Sequence, residues 1–556
     1  MGVRVRAAPA PAAFAAPAPR SLCFVKTGTS VAKETAVEIR AEQGDILEYR
    51  GKAIVVNLFE GVTKPEGATG AADRALDGAI AQLIADGEIR GRRGEITVVH
   101  TFGKLPAGRV VVAGLGKAAE LSADRVRDTA ANVARLLRRS GFGTAATVAH
   151  GAGAGGLDAE ASARAIAEGT LLGLYRFDRH QKADENRREL QALTIVERDA
   201  ALLPALERGI STGRILAEAT NFARDLANEP SNYLTPAELA ARARAVADAT
   251  DLRCEVLDTE QMVELGMGAL LGVAKGSAQP PAFIVLHYRG DPSSEQGVGL
   301  IGKGITFDTG GISIKPAANM HEMKGDMSGG AAVIAALSAI ARLKPAINVT
   351  GIVPATENMP GGNAIKPGDV LRAMNGTTIE VINTDAEGRL ILADGLSYAR
   401  RLELSPLIDV ATLTGAITTA LGDVAMGIMG NDQPLIDRVI AAGKEAGEKV
   451  WQLPMFEEYR SQIDSDVADI KNTGGRKAGS ITAAMFLREF VEKTPWAHID
   501  MAGVDTYEHD KGWITKGASG IPVRTLVHTV LSIAAERQGA GRRDGSAKRR
   551  AAAVQA

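Results

Sequence analysis

The chemistry of this chain concentrates in Asn383-Thr384-Asp385-Ala386-Glu387-Gly388-Arg389-Leu390, where two carboxylates stand two positions apart beside an arginine. The β-branched residues of Thr378-Ile379-Glu380-Val381-Ile382 predict a strand that runs into this segment as a loop. Asp, Asn and Gly also favour plain solvated turns for backbone reasons, so the octet by itself admits both a turn and a set of hard oxygen ligands. The upstream sequence favours ligands. It reads Gly302-Lys303-Gly304-Ile305-Thr306-Phe307-Asp308-Thr309-Gly310-Gly311, then Ser313-Ile314-Lys315, then Met323-Lys324-Gly325-Asp326-Met327. The apolar run 298–301 predicts a buried strand, which sets Lys303 and Asp308 at or beyond its C-terminal end, where open α/β sheets place ligands. Asp308, Asp326, Asp385 and Glu387 are therefore candidates to converge. Like charges in one pocket raise one another's pKa unless something cationic neutralises them. A pair of divalent ions does so, and such pairs are a recurrent hydrolytic device.

Three overlapping motifs compete with this reading. Gly297 to Lys303 matches a phosphate-binding loop as far as its lysine, but Gly304 stands where a Ser or Thr hydroxyl would hold magnesium. Asp308-Thr309-Gly310 has the aspartic-protease triplet without the second copy that a shared proton requires. Arg109-Val-Val-Val followed by Gly114-Leu-Gly116 imitates a dinucleotide fingerprint, and a tight strand-to-helix turn explains those glycines equally well. No cysteine lies near the four acids, so their oxygens suit Mg, Mn or Zn. The histidines lack the H-E-x-x-H spacing, and His321 and His498, the nearest to the motifs, read as structural or as supports hydrogen-bonded behind a ligand. Lys303 and Lys315 read by default as counter-charges.

These segments, with Thr356 to Gly362, Lys366-Pro-Gly-Asp-Val370, Asp409 to Gly415 and His498 to Gly503, resemble the leucyl (cytosol) aminopeptidase family over about residues 215–535. The resemblance implies two divalent metal ions per subunit, Mn2+ or Zn2+. In it, Asp308 and Glu387 bridge both ions, Asp385 binds the first, and Lys303 and Asp326 complete the second. Lys303 must be neutral to ligate. Lys315 matches the residue that polarises the scissile carbonyl, and Arg389 the one that holds a bicarbonate acting as general base. Met323, Asn383, Thr412, Leu413, Gly415 and Ala502 match the border of the substrate pocket, with Met323 and Ala502 implying an apolar P1 site. The implied activity is release of N-terminal residues, Leu and other apolar ones preferred, from peptides by a hydroxide activated by two metals. A homohexamer of two stacked trimers around an interior cavity is implied as well. Some bacterial relatives combine peptidase activity with DNA binding, which leaves a DNA-binding, regulatory hexamer as the alternative reading.

Composition sets the frame for these residues. A chain of 556 residues exceeds the size of one hydrophobic core, so two domains are expected. A net charge of −2 advertises neither a nucleic-acid nor an anionic-membrane partner. No run of about 18 uninterrupted apolar residues predicts a membrane span. Only Cys23 and Cys254 occur, which fits a reducing compartment and a cytoplasmic location. Residues 1–33 carry basic but no acidic side chains, are interrupted by prolines, and read as a disordered or targeting extension, leaving an organellar location as the alternative. Strand-like runs at 53–58, 96–99, 110–112, 146–148 and 192–196, interleaved with helical ones such as 126–139, predict an N-terminal α/β domain over 34–203. A linker helix at 204–228 follows, then a catalytic α/β domain over 229–538. Its strands near 283–287, 298–302, 347–353, 378–383, 407–412 and 497–501 predict a central mixed sheet covered by helices on both faces. Residues 539–556 read as a disordered basic tail.

Overall fold

The computed structural model describes residues 37–555 except 154, 183 and 185, with side chains to residue 539. The expectations for residues 1–33 and for Cys23 lie outside the described residues. Six strands form the first sheet: β1 (Glu38–Gln43), β2 (Ala53–Phe59), β3 (Ile96–His100), β4 (Arg109–Gly116), β5 (Thr144–Thr147) and β6 (Ala192–Glu197). Their order is β1-β6-β5-β2-β4-β3, parallel throughout except where β3 runs against β4. The edge strand β1 was not apparent in the sequence, because Glu38-Ile-Arg-Ala-Glu-Gln43 buries little beyond Ile39. The glycines of the apparent dinucleotide motif serve packing. A Cβ on Gly114 would lie 2.1 Å from the Arg92 carbonyl oxygen, so backbone approach alone requires glycine there.

The linker helix Leu203–Asn228 begins with Pro204 in its first turn, where the missing N–H costs nothing. It packs against the helix Ala159–Gly173 on one side and Ser328–Leu343 on the other. Gly209 and Gly213 permit the first contact, since a Cβ on either would meet the backbone oxygens of Glu160 and Arg164 at 2.2 and 2.5 Å. Thr235 then caps the helix Pro236–Ala249 through the N–H of Glu238.

The second domain contributes β7 (Arg253–Leu257), β8 (Ala282–Arg289), β9 (Gly297–Gly302), β10 (Gly304–Asp308) and β11 (Asn348–Asn358). It continues with β12 (Val370–Arg372), β13 (Thr378–Glu380), β14 (Leu407–Ala411), β15 (Met426–Gly430), β16 (Val450–Gln452), β17 (Ile470–Lys471) and β18 (Trp496–Asp500). The central sheet has the order β16-β15-β18-β14-β9-β11-β8-β7, with β10 pairing β11. It is mixed: β18, β14, β9 and β11 are parallel, while β15 opposes β18 and β8 opposes β11. Alternation along β14 covers both faces, as expected. Ile408 and Val410 pack with Val333 and Leu337 of the helix Ser328–Leu343, whereas Leu407 and Ala411 join Leu390 and Leu396 of the helix Gly388–Arg401. The apolar helical run Met320–Leu343 is long enough to span a bilayer but is largely buried inside the protein, as a core helix is.

Two expectations are corrected. The strand expected at 378–383 ends at Glu380 and belongs to a separate sheet, β12-β13-β17, because the N–H groups of Ile382 and Asn383 turn to the Asn472 side chain. Of the basic segment 539–556, expected to be a disordered tail, the described residues 539–555 continue the terminal helix Val523–Gln555. Its Ala, Arg and Lys residues are good helix formers, and extending an existing helix avoids the cost of nucleation.

Buried charge fastens the domains together. Glu168 of the N-terminal domain accepts from Arg127 at 2.6 Å and from Arg524 of the terminal helix at 3.0 Å, and Arg524 also reaches Glu448 at 3.1 Å. Burial alone would raise the Glu168 pKa, but Arg127 and Arg524 overcome it and hold the carboxyl down at about 2. The stability this supplies is present above the ordinary glutamate value of 4.5 and is lost as pH falls from there towards 2. Glu168→Ala, which removes the carboxylate that Arg127 and Arg524 share and leaves each with only its other partner, Asp124 or Glu448, should cost about 3 kcal/mol in denaturant unfolding at neutral pH. The variant should also lose much of the wild type's acid sensitivity below pH 4.5.

Candidate metal centre and active site

The site lies beyond the C-terminal ends of β9, β10 and β14. Lys303 follows β9 directly, and its backbone is pinned on both sides: its N–H donates to Val410 O at 3.0 Å and its carbonyl accepts from Gly330 N at 2.7 Å. Asp308 ends β10. Asp326 lies in the 3-10 turn Met320–Met327 that leads into the helix Ser328–Leu343. Asp385 and Glu387 lie in the loop entering Gly388–Arg401, and Glu387 occupies the N-cap of that helix without capping it. Its carboxylate turns instead to Lys303.

The five residues expected as ligands and Lys315 come together. Lys303 Nζ lies 2.7 Å from Asp326 Oδ1 and 2.8 Å from Glu387 Oε1, and donates to Thr412 O at 3.0 Å. Lys315 Nζ lies 2.8 Å from Asp308 Oδ2 and 2.6 Å from Asp385 Oδ1. Each ammonium thus stands between two carboxylates. Asp308, Asp385 and Glu387 each place an oxygen within 4.8 Å of the others. Gly388 makes room for the lysine stem, since a Cβ there would lie 2.6 Å from Lys303 Cε.

Electrostatics marks the cluster as a cation site. Burial raises the pKa of Asp326, Glu387 and Asp385; repulsion from Asp308 adds to it in all three, and repulsion between Asp326 and Glu387 adds to it for Asp326. Burial works against the charge on Lys303, but Asp326, Glu387 and Asp308 outweigh it and the net shift is upward. Lys315 behaves alike, with Asp308 the strongest of its carboxylate partners. Asp326 Oδ2 and Glu387 Oε2 remain buried without a hydrogen-bond partner. Oxygen donors that are crowded, desolvated and partly unsatisfied fit hard divalent cations.

Arg389 is buried one residue into its helix. It donates Nη1 to Asn472 O at 2.9 Å, while its Nε has no partner. Burial lowers its pKa to about 10. A cavity of about 650 Å³ opens beside it, and Asn383, Asp385, Leu413 and Gly415 are in its lining. Met323, Thr412 and Ala502 fall outside that lining. Thr412 instead donates its hydroxyl to Asp326 Oδ1 at 2.8 Å. His498 is structural: in β18 it meets Asp409 Oδ1 at 2.6 Å, beside Trp496, whose indole donates to Asp409 Oδ2 at 2.6 Å. His321 is exposed on the 3-10 turn.

Sequence reasoning missed the residues that hold the donors in place. Asn358 donates to Asp308 Oδ1 at 2.8 Å and to Thr384 O at 3.0 Å. Asn472 donates to Asn383 O at 2.6 Å and accepts from Ile382 N at 2.8 Å. Asp500 accepts from Leu413 N at 3.1 Å and from the Thr414 hydroxyl at 2.6 Å. Asn358 lies in the 356–362 segment and could have been suspected there. Asn472, 89 residues from Asn383, carried no local signal.

Sequence profiles described as "Cytosol aminopeptidase family, catalytic domain" and "Cytosol aminopeptidase family, N-terminal domain" match residues 221–527 and 55–184. A probable cytosol aminopeptidase of Solibacter usitatus is 47% identical, over 89% of this chain and 99% of its own length. One from Alkaliphilus metalliredigens is 45% identical over 86% and 96%. Among solved structures, a tomato leucine aminopeptidase superposes with a TM-score of 0.80 at 33% identity, covering 90% of this chain and 97% of that one. The bottromycin maturation enzyme BotP in complex with Mn superposes with a TM-score of 0.77 at 36% identity, over 87% and 100%. The fold and its acidic centre are those of a metal-dependent peptidase. The chain belongs to the cytosol aminopeptidase family and is a metal-dependent aminopeptidase.

Asn358→Ala, which removes one hydrogen bond to Asp308 and leaves every carboxylate of the cluster in place, should weaken metal affinity about 10–100-fold, read by calorimetric titration of metal-stripped protein with Mn2+.

Proposed function

We propose that the protein releases N-terminal amino acids, Leu and other apolar residues foremost, from peptides through two divalent cations per subunit, Mn2+ or Zn2+. The observation that carries this reading is the pair of buried ammonium groups set among Asp308, Asp326, Asp385 and Glu387. Asp308 and Glu387 would hold both ions, Asp385 the first, and Asp326 with a neutral Lys303 the second. Bound there, the ions supply an activated water and polarise a carbonyl. Lys315 is the less buried of the two lysines. With its carboxylate partners committed to cations, its ammonium serves to hold the charge developing on the scissile carbonyl oxygen. Arg389, with an unpartnered Nε beside the cavity, suits a bicarbonate that takes the proton. Met323, Asn383, Thr412, Leu413, Gly415 and Ala502 border the substrate in this reading. Exopeptidase selectivity rests on the free α-amine, whose lone pair is available to a cation, whereas that of an internal peptide nitrogen is delocalised into its carbonyl.

The same reading includes a cytoplasmic homohexamer. Trp451, Phe456 and Val467, large apolar side chains exposed by the catalytic domain, support an assembly surface. The near-neutral net charge lends no support to a DNA-binding role.

Hydrolysis of Leu-amide should vanish in metal-stripped protein, return with Mn2+ or Zn2+, and never extend to N-acetyl-Leu-amide. Activity without metal, or on the blocked substrate, would overturn the mechanism. Light scattering should report about six chains per particle, and a fully active monomer would refute the assembly.

A further inference from the structure

The cavity beside the metal centre has an electrostatic polarity that the hydrolytic reading leaves unexplained. Its one acidic lining residue, Asp385, sits at the metal end and is paired with Lys315. Elsewhere its lining includes Arg476, which is exposed and forms no ion pair with any described residue. Gly479, Ser480 and Ile481, the first turn of the helix Gly479–Arg488, line the same space. The backbone N–H groups of a first helical turn have no partner within the helix, and here no side chain caps them. The preceding Ala478 stands in the left-handed region at φ 53°, a strained conformation for a residue with a Cβ, and such strain persists where the surroundings impose it. A third feature is independent of that helix. Arg389, only 6% exposed, also lines the cavity, and its Nε is buried without a hydrogen-bond partner.

We infer that this end of the cavity recognises a carboxylate, the C-terminal carboxylate of a short peptide whose leaving portion ends inside the cavity, through Arg476 and the uncapped N-terminus of Gly479–Arg488. The inference deepens the aminopeptidase reading and rests on it for the orientation of the substrate. Helix N-termini favour anions through aligned N–H groups and the helix dipole, and arginine matches a carboxylate in a bidentate geometry. The size agrees: about 650 Å³ lies within the range of small-ligand pockets. The protein is on this account tuned to di- and tripeptides. One end of the substrate is selected by its free amine, the other by its free carboxylate.

The test compares kcat/KM of the metal-loaded enzyme for Leu-Gly and Leu-Gly-Gly with their C-terminal amides. The free acid should be preferred in at least one pair. That preference should fall about tenfold in Arg476→Ala, the loss of one charge-assisted hydrogen bond, and be partly restored in Arg476→Lys. Equal use of acids and amides by the wild type, or a preference that survives Arg476→Ala, would overturn the proposal. A bicarbonate series separates the two sources of carboxylate. Bicarbonate that competes with the acids but not the amides would assign these groups to the free anion and overturn the peptide reading. Calorimetry with N-acetylglycine against N-acetylglycinamide reads the site without turnover, and binding of the acid alone, lost in Arg476→Ala, is expected. Absence of turnover on all four peptides would count against the aminopeptidase mechanism, and calorimetry would still decide the carboxylate site.

Discussion

Four carboxylates gathered at one place, three of them buried and Asp385 partly so, repel one another strongly, and the architecture of the catalytic domain answers that repulsion. At an effective dielectric of about 20, two charges 4 Å apart still interact by about 4 kcal/mol. Asp308, Asp326, Asp385 and Glu387 are tolerable together only with positive charge among them. In the polypeptide itself Lys303 and Lys315 meet that need, each between two acids. The orphaned oxygens of Asp326 and Glu387 show that the lysines do not satisfy every acceptor. A centre of this kind is held ready for cations, since each ion that enters relieves repulsion the fold has already accumulated.

Holding such a cluster requires rigid supports, and these come from places distant in sequence. The parallel strands β9, β11 and β14 direct their C-terminal ends to one edge, where Lys303, Asn358 and Thr412 meet. Asn358, Asn472 and Asp500 each bind backbone atoms or a carboxylate of another segment, so the loops have little freedom to relax when the acids repel. Burial of the helix Ser328–Leu343 anchors the turn that carries Asp326. The N-terminal domain adds support from behind. Through Glu168, Arg127 and Arg524 it is locked to the terminal helix, and Lys324, two residues from Asp326, donates to Asn228 O at the end of the linker helix at 2.7 Å.

The metal centre and the adjoining cavity have opposite electrostatic character. Acids dominate one, and free donors from Arg389, Arg476 and an uncapped helix line the other. A peptide is itself such a dipole, with an amine at one end and a carboxylate at the other. The match in polarity connects the geometry of the site with the short, unfolded chains that an exopeptidase processes.

Much of the centre was legible in the primary structure because its chemistry is local. Asp385, Glu387 and Arg389 fall within one loop, Lys303 and Asp308 flank one strand, and the repulsion among carboxylates follows from residue type alone. Alternating α and β patterns likewise disclosed two α/β domains, the linker helix and most central strands, since period and hydrophobicity are properties of short segments. Other features had no local expression. The edge strand β1 buries too little to show a pattern, β13 leaves the central sheet because Asn472 takes the next N–H groups, and the terminal helix continues through glycine-containing basic sequence. Asn472 and Asp500 acquire their roles only when segments more than 80 residues apart are brought together. Residue types and spacing determined which groups could bind cations, and the family resemblance alone pointed them at a peptide bond. Tertiary structure alone decided which groups meet, which oxygens stay unsatisfied and where a free arginine faces a cavity, because those depend on long-range packing that no window of sequence contains.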